Sequence, residues 1–541
     1  MGKIIETRID NFAGGIVNDS RNRRVNVARV ISNFNAIRNS RKLTPYRSTE
    51  QGNSDEQTDR QRNFCIARST ATAYSVYGIG IVDGDSTLAE FRFKAITQGS
   101  ANDLDDAAWT ETANYQQSGV DRQVEYNLFA YYPRMALTYF FNNGNQRGIW
   151  KYDPSGSVAM AIEGGAAATF AVSQTVVTQG MVHSLDDVFY VAYMDSNSGG
   201  VKILKNNAGT WTSPWTNAIN GYFPLSICEY GTFLAIAIAP ISGVGNSKVV
   251  LWDRVSASWN EIIDWGDGQL TILEVVDGEL IGISQKGGSK TSFSIGEGGS
   301  TNPTSNTSKI LRDRIIFRQY IGSRSVKQFL EIESDVSLIG GGAGTTQLPI
   351  AKQIANNRLH FLMLIELNGA VRDGIWSIGR NEAGEWSLIN DYTTQSAALT
   401  TGSGLLYSFI IVGDFALIAY QGGGAFQVSK TAEGATYTTN STYETKRFIT
   451  GGSGVKKNLI GTTVETEFLP TAGQVVLAYR VDQNTAWTTI DTYTTDNGIS
   501  FSSVAGLPKD YKEIEFQILS TGGAEITALS FQEEITDKRP Y

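Results

Sequence analysis

The sequence predicts an all-β chain: a β-propeller of about seven blades, preceded by an extended N-terminal arm and followed by a β-sandwich. Short apolar runs of strand length follow one another with no long amphipathic helical pattern between them. Apolar strand ends followed by polar turns recur with a period of about 50 residues, which is typical of propeller blades. After residue 440 this rhythm gives way to alternation of apolar and polar residues. Six or eight blades also fit the repeat.

Composition is consistent with this fold. The chain has 541 residues, 18% of them charged, with 56 Gly, 11 Pro and a formal net charge of −9. This length exceeds one ordinary core, and low charge with high glycine content is typical of a turn-rich β protein. The acidic balance argues against a general nucleic-acid coat, which carries net positive charge.

Residues 1–63 are predicted to form an extended basic N-terminal arm and linker. Eight Arg or Lys residues occur from Ser20 to Arg47 with no acidic residue among them. Because guanidinium groups bind carboxylates in a bidentate manner, we expect these side chains to contact acidic patches on adjacent subunits. The fully polar stretch Ser48–Asn63 is predicted to be a linker or solvated loop.

Residues 64–440 are predicted to form the propeller. Their apolar runs are rich in β-branched and aromatic residues and suit buried strands: Asn127–Tyr132, Met135–Phe141, Val188–Met194, Phe233–Ala239, Ile315–Tyr320 and Leu359–Leu367. The repeated strand ends place an apolar residue at five positions: Trp150, Leu204, Trp252, Trp376 and Phe426. Two weaker candidates, Phe293 and Phe329, lie in the long interval before Trp376. We expect the repeated aromatic residues to fill the space between blades.

Residues 441–541 are predicted to form a separate β-sandwich. In two runs every second residue would lie on the same face of a strand: Val464, Thr466 and Phe468, then Val475, Leu477 and Tyr479. Such alternation is typical of half-buried antiparallel strands. A module of this kind is often a carbohydrate-binding domain or an assembly interface, and the alternation leaves both open.

Motifs for catalysis are absent from the sequence. The chain has two His, His183 and His360, and neither has a second His or Cys at metal-ligand spacing. Nucleophile-elbow, HExxH, phosphate-loop and dinucleotide-binding motifs are missing. The sequence therefore predicts no catalytic residue, no metal site, no cofactor and no enzymatic activity. A hydrolase acting on surface polysaccharide is the least favoured alternative.

The arm contains the segments FAGGIVND, NFNAI and KLTPYRST. Together they resemble the N-terminus of the β-propeller tail hub or nozzle family of tailed-phage virion proteins. In that family a Phe-x-Gly-Gly turn precedes an Arg segment, an Asn-Phe pair and a basic segment ending in Arg. The matching positions here are Phe12, Gly14, Gly15, Arg29, Asn33, Phe34 and Arg47. The sequence RNSRKLTPYR stands where the family usually has a Gly-Gly pair before the final Arg.

The resemblance implies a structural virion protein of a tailed bacteriophage. Such a tail hub or nozzle component would be made in the host cytoplasm and assembled in the virion tail as a ring around the DNA exit channel. The expected partners are other copies of the chain in a homo-oligomer, the portal or adaptor, and other tail proteins. Transient contact with viral DNA during ejection ranks below protein contact, because a conduit must let DNA slide. No stretch reaches the ~18 apolar residues of a membrane span, so none is expected.

The arm is the predicted assembly interface. The glycines permit a tight turn against a neighbour, and a segment that becomes ordered on assembly buries area without a core of its own. The interface residues are Phe12, Gly14, Gly15, Arg21, Arg23, Arg24, Arg29, Asn33, Phe34, Arg38, Arg41, Lys42 and Arg47. A merely disordered basic tail is the simpler alternative.

A second functional hypothesis is a tail-tip or fibre protein that binds a cell-surface glycan. Exposed tryptophans would then stack on sugar rings, although core packing is expected for most of them. The residues concerned are Trp211, Trp215, Trp259 and Trp265.

Overall fold

The computed structural model describes most of the chain. The described residues are 3–12, 28–32, 34–35, 42–45, 49–51, 61–68, 73–81, 88–97, 110–116, 124–142, 148–152, 161–162, 177–195, 199–241, 245–286, 293–294, 304–305, 313–334, 351–367, 370–381, 384–394, 405–412, 415–422, 425–431, 441–450, 454–482, 484–494 and 500–536. They form β-strands, numbered here in chain order, and one short 3-10 helix at Pro133–Met135. Among the described residues, no helix is long and apolar enough to span a membrane.

The chain divides into two compact units. The first comprises Met1–Thr49, Ile375–Thr393 and Thr431–Tyr541, and the second comprises Glu50–Gly374 and Thr394–Lys430. The first 49 residues, predicted to be part of an arm, therefore group with the C-terminal residues. The second unit is the propeller, and the first contains the sandwich.

The propeller unit is built from small antiparallel sheets, most of them four-stranded. The first is β6 (Gln61–Arg68), β7 (Ala73–Ile81), β8 (Leu88–Thr97) and β9 (Thr110–Gln116); the second is β10 (Val124–Tyr132), β11 (Leu137–Asn142), β12 (Gly148–Tyr152) and β13 (Ala161–Ile162); the third is β14 (Met181–His183), β15 (Val188–Asp195), β16 (Gly200–Asn207) and β17 (Thr210–Thr212), with β18 (Ile219–Asn220) paired to β16.

The remaining propeller sheets follow the same plan. The fourth is β19 (Tyr222–Tyr230), β20 (Phe233–Pro240), β21 (Ser247–Trp252) and β22 (Glu261–Gly266); the fifth is β23 (Gln269–Val276), β24 (Glu279–Lys286), β27 (Asp313–Gly322) and β28 (Ser325–Ser334), with β25 (Phe293–Ser294) and β26 (Thr304–Ser305) as a separate pair. At the sixth position lie β29 (Lys352–Ala355) and β30 (Arg358–Leu362), followed by the pair β31 (Ile365–Leu367) and β32 (Ala370–Arg372). The seventh is β35 (Leu405–Val412), β36 (Phe415–Gly422), β37 (Ala425–Thr431) and β5 (Thr49–Gln51).

The sheets follow one another around a closed ring. Strand β6 contacts β10, β15 contacts β19, and β19 contacts β23. Strand β23 then contacts β30, β30 contacts β35, and β35 returns to β6. Between the second and third sheets, buried Leu128 and Tyr132 share a core with Phe189 and Val191. Closure leaves each small sheet with both faces covered, so the β-propeller prediction is confirmed, and the described residues occupy seven blade positions.

The sequence repeat corresponds to a fixed place in the blades. Trp150 lies on β12, Leu204 on β16, Trp252 on β21 and Phe426 on β37, each the third strand of its sheet. The two weaker candidates were wrong, because the third strand of the fifth sheet is β27. Phe293 lies on the inserted strand β25, and Phe329 lies on the fourth strand, β28.

The polar stretch predicted to be a linker contains strand residues. Strand β5 is hydrogen-bonded to β37 as the outermost strand of the seventh sheet. Since β6 begins the first sheet at Gln61, this stretch joins the last blade to the first. The outermost strand of a sheet is held by backbone hydrogen bonds and can consist of polar residues. For this reason the hydrophobicity pattern did not predict β5 as a strand.

Aromatic side chains pack between the propeller sheets, as expected. The Trp215 and Trp252 rings lie 5.9 Å apart and nearly perpendicular, and Tyr190 contacts Trp252 at the same centroid distance. Trp211 makes a similar edge contact with Tyr139 at 5.4 Å. Edge-to-face pairs of this kind add about 0.5–1.5 kcal/mol to the burial of apolar area.

The first unit contains two sheets packed as a sandwich. One sheet has the order β1 (Ile4–Ile9), β44 (Ile526–Ile535), β39 (Lys457–Thr466) and β42 (Ser500–Ser503). The other has, within this unit, the order β33 (Ile375–Arg380), β34 (Trp386–Tyr392), β2 (Ala28–Ser32), β38 (Ser441–Thr445), β43 (Ile514–Thr521), β40 (Gln474–Val481) and β41 (Thr488–Tyr493); β3 (Phe34–Asn35) and β4 (Thr44–Pro45) form a separate pair. Phe516 of β43 meets Phe531 of β44 at 4.7 Å, so an aromatic core joins the two sheets.

Side chains of the innermost propeller strands bridge neighbouring blades. Lys352 Nζ donates to the carbonyl oxygens of Ile227 at 2.8 Å and Leu273 at 2.5 Å, and pairs with Glu274 at 2.8 Å. It therefore ties β29 to both β19 and β23. Gln353 exchanges two hydrogen bonds with the backbone of Ile411 on β35. The side chains of Lys352 and Gln353 thus form hydrogen bonds with backbone atoms of the innermost strands of neighbouring blades.

We expect Lys352→Met to lower the free energy of unfolding of the propeller by about 3–5 kcal/mol, because Glu274 loses its partner in a largely buried place. Urea titration monitored by tryptophan fluorescence measures the change. Lys286→Met is the matched control, since Lys286 pairs with Asp267 at the surface and should change stability by no more than about 1 kcal/mol. Equal effects of the two substitutions would contradict the assigned role of Lys352.

Candidate functional site: the N-terminal segment on the sandwich

Strand β1 completes one sheet of the sandwich. It pairs antiparallel with β44 over six residues, from Ile4 opposite Glu534 to Ile9 opposite Leu529. Ile9 is buried, and Arg8 makes a bidentate ion pair with Glu465 at 2.6 and 2.8 Å. The start of the chain thus adds an edge strand to its last strand.

Strand β2 lies within the other sheet, between β34 on one side and β38 on the other. Its pairing with β38 shifts register between Ala28 and Val30, so Arg29 is the extra residue of a β-bulge. A bulge bends its strand and redirects the extra side chain. Here it directs Arg29 to the carboxylate of Glu515.

Glu515 is the centre of a cluster of three arginines. Arg29 Nη1 lies 2.8 Å from Glu515 Oε2, and Arg447 Nε lies 2.8 Å from Oε1. Arg480, directly opposite Glu515 in the ladder of β40 and β43, donates to Oε2 from Nε at 2.8 Å and from Nη2 at 2.5 Å. The Glu515 side chain is only 4% exposed. A carboxylate this deeply buried requires such charge-assisted partners, and Arg29 supplies one from the N-terminal segment.

Two phenylalanines of the segment are fully buried. Phe12 makes an edge contact with Tyr443 of β38 at 5.2 Å. Phe34, on β3, is buried where this strand packs against β34 and β38. Burying a Phe side chain contributes about 1.5–3 kcal/mol, so these contacts fix the segment independently of its charges.

The end of the segment is also fixed. Lys42 Nζ pairs with Glu525 at 2.6 Å, and Leu43 and Ile526 exchange two backbone hydrogen bonds of 2.8 and 3.1 Å. Leu43 is fully buried. The Glu525 hydrogen bond raises the pKa of Lys42 above its ordinary value, so the ammonium form persists at neutral pH.

Two residues of the predicted interface have partners within the chain. Arg29 and Lys42, expected to reach acids on adjacent subunits, pair with Glu515 and Glu525 of their own chain. The cause is local, since strand pairing in the sandwich brings the acids beside the basic residues. Phe12 and Phe34 are buried in the same unit, so four predicted residues gather on the sandwich. The other predicted residues lie outside the described part: Gly14, Gly15, Arg21, Arg23, Arg24, Asn33, Arg38, Arg41 and Arg47.

The acids and the aromatic ring that receive the segment were not predicted. Glu515 lies in the sequence EIEFQIL, where alternation places Ile514 and Phe516 on the core face. Glu515 therefore occupies the opposite face, which the sequence leaves open to solvent. Arg447, Arg480 and, from β2, Arg29 cover this face, and Arg29 is remote from Glu515 in the sequence.

A second polar cluster lies in the propeller unit, at the turns of the third and fourth sheets. Glu229 of β19 accepts hydrogen bonds from the backbone N–H of Ser184 at 2.8 Å and from its hydroxyl group. His183 is fully buried, and its Nδ1 lies 3.8 Å from Glu229. The same Nδ1 accepts the backbone N–H of Leu185 at 3.2 Å, which places the ring proton on Nε2.

Asp186 completes this cluster. Its carboxylate accepts the hydroxyl proton of Tyr190 at 2.8 Å and pairs with Arg254 from the fourth sheet. Burial lowers the pKa of His183 below its ordinary value of 6.5, with Arg254 acting in the same direction and Glu229 in the opposite one. Both carboxylates are thus engaged by donors, and the Ser184–Glu229 and Asp186–Arg254 contacts join the two blades beside a neutral imidazole.

The described residues contain no group of three His, Cys, Asp or Glu side chains placed to hold a metal ion. Three of the tryptophans considered for sugar stacking, Trp211, Trp215 and Trp265, are buried, so the core interpretation is correct for them. Trp259 is half-exposed and packs on Trp215 at 5.8 Å.

Comparison with known proteins finds distant similarity among solved structures. No family model matches the chain, and no curated protein matches it. Among solved structures, exo-β-1,3-galactanase from Phanerochaete chrysosporium with β-1,3-galactotriose has a TM-score of 0.32 and 10% identity, covering 90% of this chain and 99% of that one. The same enzyme with galactose gives 0.31 and 11%, covering 90% and 100%. An oligogalacturonate lyase in complex with manganese gives 0.36 and 7%, covering 69% and 97%.

These comparisons contradict the prediction that the chain is not an enzyme. The solved structures named above are those of a galactanase and a lyase, and both proteins are enzymes. A non-enzymatic character is accordingly not assigned to this chain.

We expect Arg29→Met to lower the free energy of unfolding by about 1–3 kcal/mol, because Glu515 loses a charge-assisted hydrogen bond in a buried place. Arg8→Met is the matched control within the same segment. Arg8 is 46% exposed, so its loss should change stability by no more than about 1 kcal/mol. Urea unfolding of both variants measures the difference, and a smaller effect at Arg29 than at Arg8 would contradict the anchoring role.

The lowered pKa of His183 predicts a pH dependence. Below an unfolded pKa of 6.5, the unfolded chain binds a proton that the folded chain resists, so stability falls as pH decreases through that value. Each unit of the lowering contributes about 1.4 kcal/mol. Unfolding free energies measured between about pH 5 and pH 8 should show this fall in the wild type and lose it in His183→Gln.

His360→Gln removes the chain's other histidine and serves as the control. It should retain the fall in stability, because His183 is still present. Loss of the fall in the control rather than in His183→Gln would contradict the assignment.

Proposed function

We propose that the chain is a structural subunit of a tailed-phage virion, a tail hub or nozzle component that assembles as a ring around the DNA exit channel. One observation carries the proposal. The described residues that bear the family resemblance, Phe12, Arg29 and Phe34, are those that fix the N-terminal segment on the sandwich. The motif therefore has a defined structural use in this chain.

The pairing of N-terminal strands with C-terminal strands suits a subunit that carries mechanical load. Strands β1 and β2 hydrogen-bond to β44 and β38, so separating the N-terminal segment from the sandwich requires breaking two strand ladders at once. A force applied parallel to two paired strands acts on all the hydrogen bonds between them at the same time, rather than on one bond after another. The net charge of −9 also favours a channel wall along which DNA slides, since like charges repel.

The proposed partners are further copies of the chain, the portal or adaptor and other tail proteins, within the virion tail. Arg29 and Lys42 are occupied within the chain. The basic residues proposed for contact with acidic surfaces of neighbours are Arg21, Arg23, Arg24, Arg38, Arg41 and Arg47.

The test is cryo-electron microscopy of purified phage particles together with one set of variants. Changing Arg21, Arg23 and Arg24 together to Gln should strongly reduce incorporation of the chain into particles, because the contacts with neighbouring subunits are weakened. The control changes three exposed propeller residues, Arg134, Arg324 and Lys327, to Gln and should leave incorporation unchanged. The fold should survive both changes.

Particles that contain a ring of these propellers below the portal would support the proposal. Absence of the chain from particles would overturn it. So would normal incorporation of the Arg21, Arg23 and Arg24 variant, since the basic segment would then have no part in assembly. Sugar binding by the purified chain on a glycan array, with the chain absent from the conduit, would favour the tail-tip hypothesis instead.

A further inference from the structure

Lys457 and Glu533 face each other in the interior of the sandwich. Both side chains are completely buried, and Lys457 Nζ lies 3.9 Å from Glu533 Oε1. A lysine and a glutamate are almost never fully buried unless they are well paired. This pair is the most deeply buried ion pair in the described part of the chain, with 0% exposure on both sides.

The strand register places the two side chains on the same face. Lys457 lies opposite Ile535 in the ladder of β39 and β44, and Glu533 is two residues from Ile535 on β44. Residues two apart on a strand share a face, so Lys457 and Glu533 are diagonal neighbours. Phe531 occupies the same face and belongs to the aromatic core, which makes the surroundings apolar.

The pairing is incomplete. Within the described part of the chain, neither Lys457 Nζ nor Glu533 Oε2 has a hydrogen-bond partner. Glu533 Oε1 accepts the hydroxyl proton of Tyr511 at 2.8 Å. Tyr511 is itself fixed beside Lys457 by two backbone hydrogen bonds of 2.8 and 3.1 Å. Burying Lys457 Nζ and Glu533 Oε2 without hydrogen-bond partners lowers the stability of the fold, so their placement requires an explanation.

The buried surroundings favour the neutral amine of Lys457. Burial lowers the pKa of Lys457, although Glu533, Glu513 and Asp482 act in the opposite direction. An apolar interior disfavours the charged ammonium, so burial favours the neutral amine of Lys457, which is its nucleophilic form. Burial and Glu533 raise the pKa of Tyr511, so its hydroxyl group remains a donor. The pair thus places a neutral amine 3.9 Å from the Glu533 carboxyl group.

We propose that Lys457 and Glu533 form an intramolecular isopeptide bond that joins β39 to β44. The neutral Nζ attacks Cδ of the protonated carboxyl group, and the new C–N bond gives a tetrahedral intermediate with negative charge on Oε1. A proton passes from Nζ to the Oε2 hydroxyl, which leaves as water while the amide carbonyl forms. The products are one amide and one water molecule, and no oxidant, reductant or further reactant takes part.

Tyr511 is the positioning residue for this step. Its hydroxyl group donates to Oε1, the oxygen on which the negative charge develops, and its backbone holds it next to Lys457. The resulting bond would remove the unpaired Oε2 as water, bind the unpaired Nζ covalently and fix the strand that pairs with β1. This inference rests on the sandwich alone and is independent of the proposed function.

The test is intact-mass and peptide mass spectrometry of the full-length protein. The wild type should be lighter than its sequence mass by one water, and a digest should give a branched peptide joining position 457 to position 533. Lys457→Met should have its full sequence mass. Lys456→Met, which changes the exposed neighbouring lysine, should retain the loss of water.

The wild-type mass alone decides the question, even if the Lys457 variant does not fold. A purified, folded wild type at full sequence mass, with a linear Lys457 peptide after prolonged incubation, would overturn the proposal. In freshly synthesised protein, Tyr511→Phe should slow the loss of water about a hundredfold, as removal of an oxyanion donor does. Equal rates in that variant and the wild type would overturn the role assigned to Tyr511.

Discussion

The buried carboxylate of Glu515 holds the two ends of the chain in one domain. Arg447 and Arg480 approach it from the C-terminal half, and Arg29 approaches from the N-terminal segment. A buried carboxylate must be paired and hydrogen-bonded, and the bulge in β2 places Arg29 where it supplies one of these partners. Around it, β1 adds to β44 and Phe12 packs on Tyr443, which makes the sandwich a joint product of both chain ends.

In the propeller, polar bridges complement the apolar contacts between blades. Aromatic rings such as Trp215 and Trp252 fill the space between neighbouring sheets. Near the inner strands, Lys352 and Gln353 satisfy backbone groups of neighbouring blades. Strand β5 completes the seventh sheet with residues that precede the first blade, so the ring is closed by hydrogen bonding within the chain. The structure consequently depends on long-range pairing in both units.

The sequence predicted the parts of the fold that depend on local pattern. The apolar runs around Val191 and Ile236 became central strands, because strand length and β-branched content are local properties. The polar strand β5 and the partner of Arg29 were not predicted, since both depend on pairing with residues hundreds of positions away. Phe329 was assigned to the wrong strand because the insertion between β24 and β27 interrupts the repeat. The sequence thus singled out the residues of the candidate site that lie near the N-terminus. Their partners Glu515, Glu525 and Tyr443 were not predicted.

The central claim is that the N-terminal segment is a constituent of the folded sandwich. Hydrogen exchange of the full-length protein, followed by peptide mass spectrometry, tests it most directly. Amides of β1 and β2 should exchange as slowly as those of β44 and β38, with which they pair. Rapid exchange in β1 and β2 while β44 and β38 stay protected would contradict the claim.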